Sequence, residues 1–169
     1  NAYEFLCRQQ ESKEWIEECI GEPVECASII EFMDKLRNGV YLCKLANAFS
    51  PKAVPKIHQN LALEFRYTEN INNFLQACIN VGLPRIYLFS IPDLWEKKNI
   101  VNVVHCIHSL SHFLEHKGIT PKMKNLTGKV TFDKEELEKA AQQLKEIEEQ
   151  QRLKEFDASV FNQPEQEPT

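Results

Sequence analysis

The sequence predicts an all-α fold, a compact bundle of about five to seven helices followed by an acidic C-terminal helix and a disordered tail. Three observations carry this. Apolar residues recur at spacings of three and four in successive segments. The segments end on glycine with proline shortly beyond, the usual helix stop. No segment alternates with period two between hairpin turns, as half-buried strands would.

The first helix runs from about Ala2 to Ile20. Phe5, Leu6, Trp15, Ile16, Cys19 and Ile20 form its stripe, with a polar break at Gln9–Ser12, and Gly21 and Pro23 stop it. A second helix opens at Ser28, with Glu31 three residues on as a capping-box pair. It carries Ile29, Ile30, Phe32, Met33 and Leu36 up to a bend at Arg37-Asn38-Gly39. Val40 to Phe49 continues with apolar residues at mixed spacing, and Pro51 and Pro55 open a loop. The next helix is predicted from Thr68, as N-cap, to Val81, with Ile71, Phe74, Leu75, Cys78 and Ile79 inward and Gly82 and Pro84 as stop. A short piece, Ile86 to Phe89, precedes Ile91-Pro92-Asp93-Leu94. The most apolar helix, Asn99 to His116, ends at Gly118. The last begins at Asp133, which pairs with Glu136 as a second capping box. There Phe132 is placed to staple onto Leu137, and Glu135 and Lys139 are an i,i+4 pair.

These elements divide the 169 residues into a domain over 2–120, a connecting segment 121–132, a charged helix 133–157 and a tail 158–169 that is disordered in composition. The net charge of −5 conceals a pattern. Residues 37–132 carry 12 Lys/Arg against 5 Asp/Glu, while the first 36 and the last 37 residues are each at −6. The acidic total argues against a nucleic-acid binder, and the basic middle suits an acidic partner. The uncharged stretch Asn99–Leu114 is too short for a membrane span. No basic flank precedes an apolar core at the N-terminus, so no signal peptide is read there. The chain opens on Asn1 rather than Met and is expected to be part of something longer. Six widely spaced cysteines, with no C-x-x-C pair, read as reduced core residues of a cytosolic protein.

The strongest catalytic lure is His105, His108, His112 and His116, whose spacings of 3, 4 and 4 put them on one helical stripe. That stripe lies opposite Ile100, Val103, Val104, Ile107, Leu110 and Leu114. Ligands in a row on one helix cannot surround a metal, which needs side chains converging from several elements. The stripe therefore reads as a polar contact face, with no metal and no cofactor. Cys106 points away from its histidine neighbours. No nucleophile elbow, H-E-x-x-H, phosphate loop or EF-hand loop is present, so no enzyme is expected. Lys97-Lys98 is the only dibasic pair in the body, and Trp15 and Trp95 are expected in the core.

Three segments together resemble the calponin-homology family. Leu36-Arg37-Asn38-Gly39-Val40-Tyr41-Leu42-Cys43-Lys44-Leu45-Ala46-Asn47 is similar to its L-x-[DN]-G-V-x-L-C-x-L-x-N signature. Phe65, Glu69-Asn70-Ile71-Asn72-Asn73-Phe74-Leu75 and Gly82-Leu83-Pro84 resemble its N-I-x-x-F-L helix and stop. Asp93-Leu94-Trp95-Glu96-Lys97-Lys98-Asn99 with Val103, Ile107 and Leu110 resembles its last long helix. Within the family, Tyr3-Glu4-Phe5-Leu6-Cys7-Arg8 and Gly128-Lys129-Val130-Thr131-Phe132 are most similar to the N-terminal domain of IQGAP-type scaffolds. The resemblance implies a non-catalytic module that binds F-actin, monomeric as this fragment. The oligomeric parent would bind calmodulin and organise the cytoskeleton at the cell cortex or contractile ring during cytokinesis. It places filament contacts on the first and the last long helix of the domain, at Lys13, Glu17, Lys97, Lys98, Asn102, His105 and His112. The alternative it leaves open is a signalling adaptor or calmodulin-docking module with weak or no actin binding.

Overall fold

A computed structural model describes residues 1–60 and 62–161, and the helices it shows start and stop on local chemistry. Helix α1, Ala2–Ile20, is capped by the Asn1 side chain, which accepts from the Glu4 N–H, and ends at Gly21 in the left-handed conformation. A 3-10 turn, Ile29–Glu31, leads into α2, Phe32–Leu36, and α3, Val40–Phe49, follows the Asn38-Gly39 bend. Then come α4, Phe65–Val81, the short α5, Ile91–Trp95, α6, Ile100–His116, and α7, Lys134–Phe161. There is no β-strand among the described residues.

Helix α1 lies at the centre, packed on α3, α6 and α7, while α4 packs on α3 and α5 bridges α4 and α6. Trp15, Phe32, Phe74, Leu6, Ile16, Leu45, Ile71 and Ile107 are fully buried between them. The bend at Gly39 is pressed against α4. A Cβ built on Gly39, at φ +75°, would fall 2.5 Å from Asn70 Cβ and 2.9 Å from the Ile71 nitrogen. Asn70 is itself fully buried. Its amide donates to the carbonyls of Asn38 (3.0 Å) and His58 (2.9 Å) and accepts from the His58 N–H (3.0 Å). One side chain thus fastens both the bend and the loop before α4.

Four expectations shift. Helix α4 begins at Phe65, not at Thr68, because the Thr68 hydroxyl donates backward to the Phe65 carbonyl at 2.7 Å instead of capping. The polar break at Gln9–Ser12 is no surface break, since Gln9, Glu11 and Ser12 are all buried. Trp15 is in the core, but Trp95 is only half-buried, edge-on to Tyr67 at 5.1 Å with the Arg37 guanidinium 5.0 Å from its ring. Residues 158–161, expected in the tail, continue α7 instead, and the rest of the expected tail, 162–169, lies outside the described residues.

Segment 121–132, expected as a plain connection, is strapped along α1. Trp15 Nε1 donates to the Pro121 carbonyl at 3.0 Å, Glu11 accepts from the Leu126 N–H at 2.7 Å, and the Tyr3 hydroxyl donates to the Val130 carbonyl at 2.8 Å. Helix α7 then opens on the Asp133–Glu136 box, with Glu136 N–H to Asp133 Oδ1 at 2.8 Å and Asp133 N–H to Glu136 Oε1 at 3.2 Å. Its first turns dock on the body through Leu137, fully buried Ala140, Leu144 and Ile147. Phe132 sets its ring edge-on to Tyr3 at 5.9 Å.

Candidate functional site

The polar stripe of α6 forms a continuous outward row, but not with the members the spacing suggested. Asn102, His105, His112 and His116 are exposed, with Ser109 half-buried between them. Their spacing of three and four keeps them on one side of the helix, and Lys98 lies in the turn before the Asn99 cap, outside the helix. His108 leaves the row. It packs under α1, with Nε2 3.0 Å from the Arg8 carbonyl oxygen and 3.7 Å from Glu11 Oε1. Burial pushes its pKa below the ordinary histidine value, against the pull of that carbonyl and of the Glu11 charge.

The row is delivered by a rigid joint. Ser90 and Asp93 start α5, the Ser90 N–H reaching Asp93 Oδ2 at 2.9 Å, and the Asn102 amide donates to the same oxygen at 3.3 Å. Lys97 turns the chain between α5 and α6 at φ +53°, a conformation uncommon for a residue with a Cβ. The Asn99 side chain then caps α6 by accepting from the Asn102 N–H at 3.2 Å. Both lysines of the pair are exposed but occupied, Lys97 with Asp34 at 2.7 Å and Lys98 with Glu96 at 3.1 Å. Exposed pairs of this kind hold for only about 0–1 kcal/mol each, so an acidic partner could replace the carboxylates.

Lys13 and Glu17 are not gathered into that row. They pair with each other at 3.2 Å on α1, and Glu17 also accepts the Val24 N–H at 2.9 Å, which ties them to the loop after α1. The structure thus keeps Asn102, His105 and His112 on one exposed side of α6, puts Lys97 and Lys98 in the turn before it, and leaves Lys13 and Glu17 as a separate, half-buried pair. A cleft of about 140 Å³ lies at the lysine end of the row, where Lys97, Lys98 and Ile100 face Gln143, Glu146, Ile147 and Gln150 of α7. The sequence reading did not foresee that neighbour.

None of this is reactive chemistry. The six cysteines are all free thiols. Burial pushes Cys19, Cys43 and Cys106 up to about 12 and Cys78 higher still, which removes them as thiolate nucleophiles near neutral pH. No group of three or more His, Cys, Asp or Glu able to hold a metal ion occurs among the described residues. No helix among them is long and apolar enough to cross a membrane.

Residues 6–116 match the family described as the calponin homology (CH) domain. The chain is 43% identical over 152 residues to Ras GTPase-activating-like protein IQGAP3 of Homo sapiens, covering 85% of this chain and 9% of that one. It is 40% identical over 136 residues to Ras GTPase-activating-like protein rng2 of Schizosaccharomyces pombe, covering 80% of this chain and 9% of that one. It thus spans about a tenth of the length of these curated relatives. Among solved structures, the calponin-homology domain of rng2 from Schizosaccharomyces pombe superposes with a TM-score of 0.79 at 38% identity, covering 85% of this chain and 89% of that one.

Proposed function

The chain belongs to the calponin homology family, a non-catalytic binding module related to those of IQGAP-type proteins, and we propose that it binds F-actin as part of a larger cytoskeletal scaffold. The observation that carries this reading is the exposed row Asn102, His105 and His112 on a helix whose other side is locked into the core, with Lys97 and Lys98 in the turn just before it. A filament surface is long, repetitive and acidic. A rigid edge of cationic and polar side chains fits it without any group having to be ordered first. Lys97 and Lys98 supply the attraction by exchanging Asp34 and Glu96 for carboxylates of the filament. Single-site binding is then weak and salt-sensitive, and a scaffold presenting two or more copies gains by avidity. In that setting the module acts at the cell cortex or contractile ring during cytokinesis, with calmodulin as a further ligand of the parent.

The test is co-sedimentation with F-actin at low and moderate salt. Pelleting that declines with salt, and declines further in a Lys97→Glu/Lys98→Glu variant, is the expected result. No pelleting at either salt overturns the reading. One observation favours a second reading, a signalling adaptor. The lysines and Lys13 already have carboxylate partners within the domain, which lowers the net field that a filament would feel. Under that reading the double lysine variant keeps its activity and filaments are not pelleted.

A further inference from the structure

Helix α7 docks with its lysine-facing end beside the proposed filament edge. Its seated part is limited to Leu137, Ala140, Leu144 and Ile147, and every described side chain beyond Ile147 is exposed. One polar contact pins it near its start, where the Ser28 hydroxyl donates to Glu136 at 2.9 Å. At the other end of the seat, Glu146 and Gln150 of α7 face Lys97 and Lys98 across the small cleft. This places an acidic side chain of the chain itself where a filament carboxylate would have to come.

The seat is also imperfect. Gln143 Oε1 of α7 is buried without a hydrogen-bond partner, and so is Gln9 Nε2 of α1, the helix that α7 covers. The Gln143 atom lowers the cost of opening, because it regains a water partner when the helix lifts. A docked helix held by one buried alanine, three half-buried aliphatic residues and one hydroxyl is poised between two arrangements. The strap 121–132 is tied to α1 beneath it by its own hydrogen bonds, from Trp15, Glu11 and Tyr3.

We propose that α7 is an intramolecular cover, competing with the filament for the Lys97–Lys98 end of the binding edge and lifting when the filament binds. The inference rests on the filament reading and names the regulation of that same edge. In the docked state Glu146 screens the lysines and the helix blocks the approach beside them. Lifting α7 removes both, at the cost of exposing the apolar seat. Whatever holds α7 away, such as a partner that takes its apolar face, therefore strengthens filament binding.

Ala140→Glu in the full 169-residue chain tests this, because it places a charge in the one fully buried position of the seat. Hydrogen exchange over residues 137–147 reports whether α7 has lifted, and co-sedimentation at low salt reports affinity. The expected result is faster exchange there with filament affinity raised threefold or more, and a smaller rise for Glu146→Lys. Faster exchange with unchanged affinity, in a protein whose wild type pellets, overturns the cover and leaves the filament reading standing. Failure of both proteins to pellet overturns the filament reading and the cover with it. A second measurement needs no variant. Filaments added to the wild type should speed exchange over 137–147, and unchanged or slowed exchange there overturns the cover.

Discussion

The Glu11 carboxylate, on the first helix, accepts the backbone N–H of Leu126 at 2.7 Å across 115 residues of sequence. Its other oxygen pairs with Arg8 at 3.0 Å and lies 3.7 Å from His108 Nε2. Glu11 is 1% exposed while Arg8 is 47% exposed, so solvent screens the ion pair and the hydrogen bond to Leu126 dominates. Glu11→Ala leaves that N–H buried and unpaired, which costs roughly 2–3 kcal/mol. Glu11→Gln keeps an acceptor and costs less. Urea unfolding of the two variants checks both the size and the order. Equal losses would mean that the charge, not the acceptor, matters there.

Gly39 and Gly21 offer a matched pair. Both lie at positive φ, +75° and +72°, but nothing stands within 4 Å of a Cβ at Gly21, whereas one at Gly39 strikes Asn70 and the Ile71 nitrogen. Alanine at Gly21 therefore carries only the left-handed penalty, about 1 kcal/mol. Alanine at Gly39 adds a backbone clash, for a loss of about 3 kcal/mol or more. Thermal denaturation of the two should differ by several degrees, and similar melting points would contradict the close approach of α3 and α4.

The histidine under α1 predicts the sign of a pH effect. Burial lowers the His108 pKa in the folded state, so between that value and about 6.5 the unfolded chain binds more protons than the native one. This part of the stability is full above about 6.5 and falls as pH drops below it. The groups facing His108 are Arg8 and Glu11 from α1 and His112 from α6. Replacing it by Gln should flatten the decline of stability between pH 6.5 and 5.5. An unchanged slope would assign the decline to other groups.

Thiol chemistry should be slow in the native state. Burial raises the Cys19, Cys26, Cys43, Cys78 and Cys106 thiols, and Cys7 is buried too. Only Cys19 and Cys26 are partly open to solvent. Treated with a thiol reagent at pH 7.5, the folded chain should label at those two long before the rest, and all six should label at once in urea. Early labelling at Cys106 or Cys78 would mean that the core opens locally.

Local signals in the sequence held at several turns and failed at two, Thr68, whose hydroxyl turns back to Phe65, and Ser28, whose hydroxyl accepts from the Ile30 N–H while Glu31 accepts from Ala27. The Asn38-Gly39 bend, the Gly82 stop and the Asp133–Glu136 box formed as their spacing implied. What could not be read is long-range pairing. Gln9–Ser12 looked like a polar break because nothing near it in sequence shows that the Leu126 N–H, 115 residues away, bonds to Glu11. His108 looked equivalent to His105 and His112 by spacing, and only the position of α1 separates them. The motif set pointed to Lys97–His112 but said nothing of α7 beside Lys97 and Lys98, because a thin seam of Leu137, Ala140, Leu144 and Ile147 does not reveal what it covers.

That seam also predicts where the chain is first cut. Up to Ile147 one face of α7, Leu137, Ala140, Leu144 and Ile147, reaches the core, while from 148 to 160 all side chains are exposed, Leu153, Phe156 and Val160 among them. A helix without tertiary packing is held only by its own hydrogen bonds, and so short a one frays readily in water. Trypsin should therefore cleave first at Arg152 and Lys154, and later or not at all at Lys139, whose pair with Glu135 lies on the docked turns. The shortened product should unfold at the same temperature as the parent, because no core contact is lost. Early cleavage at Lys139 or Lys145 would show instead that the whole helix leaves the body in the free protein, with the binding edge already uncovered.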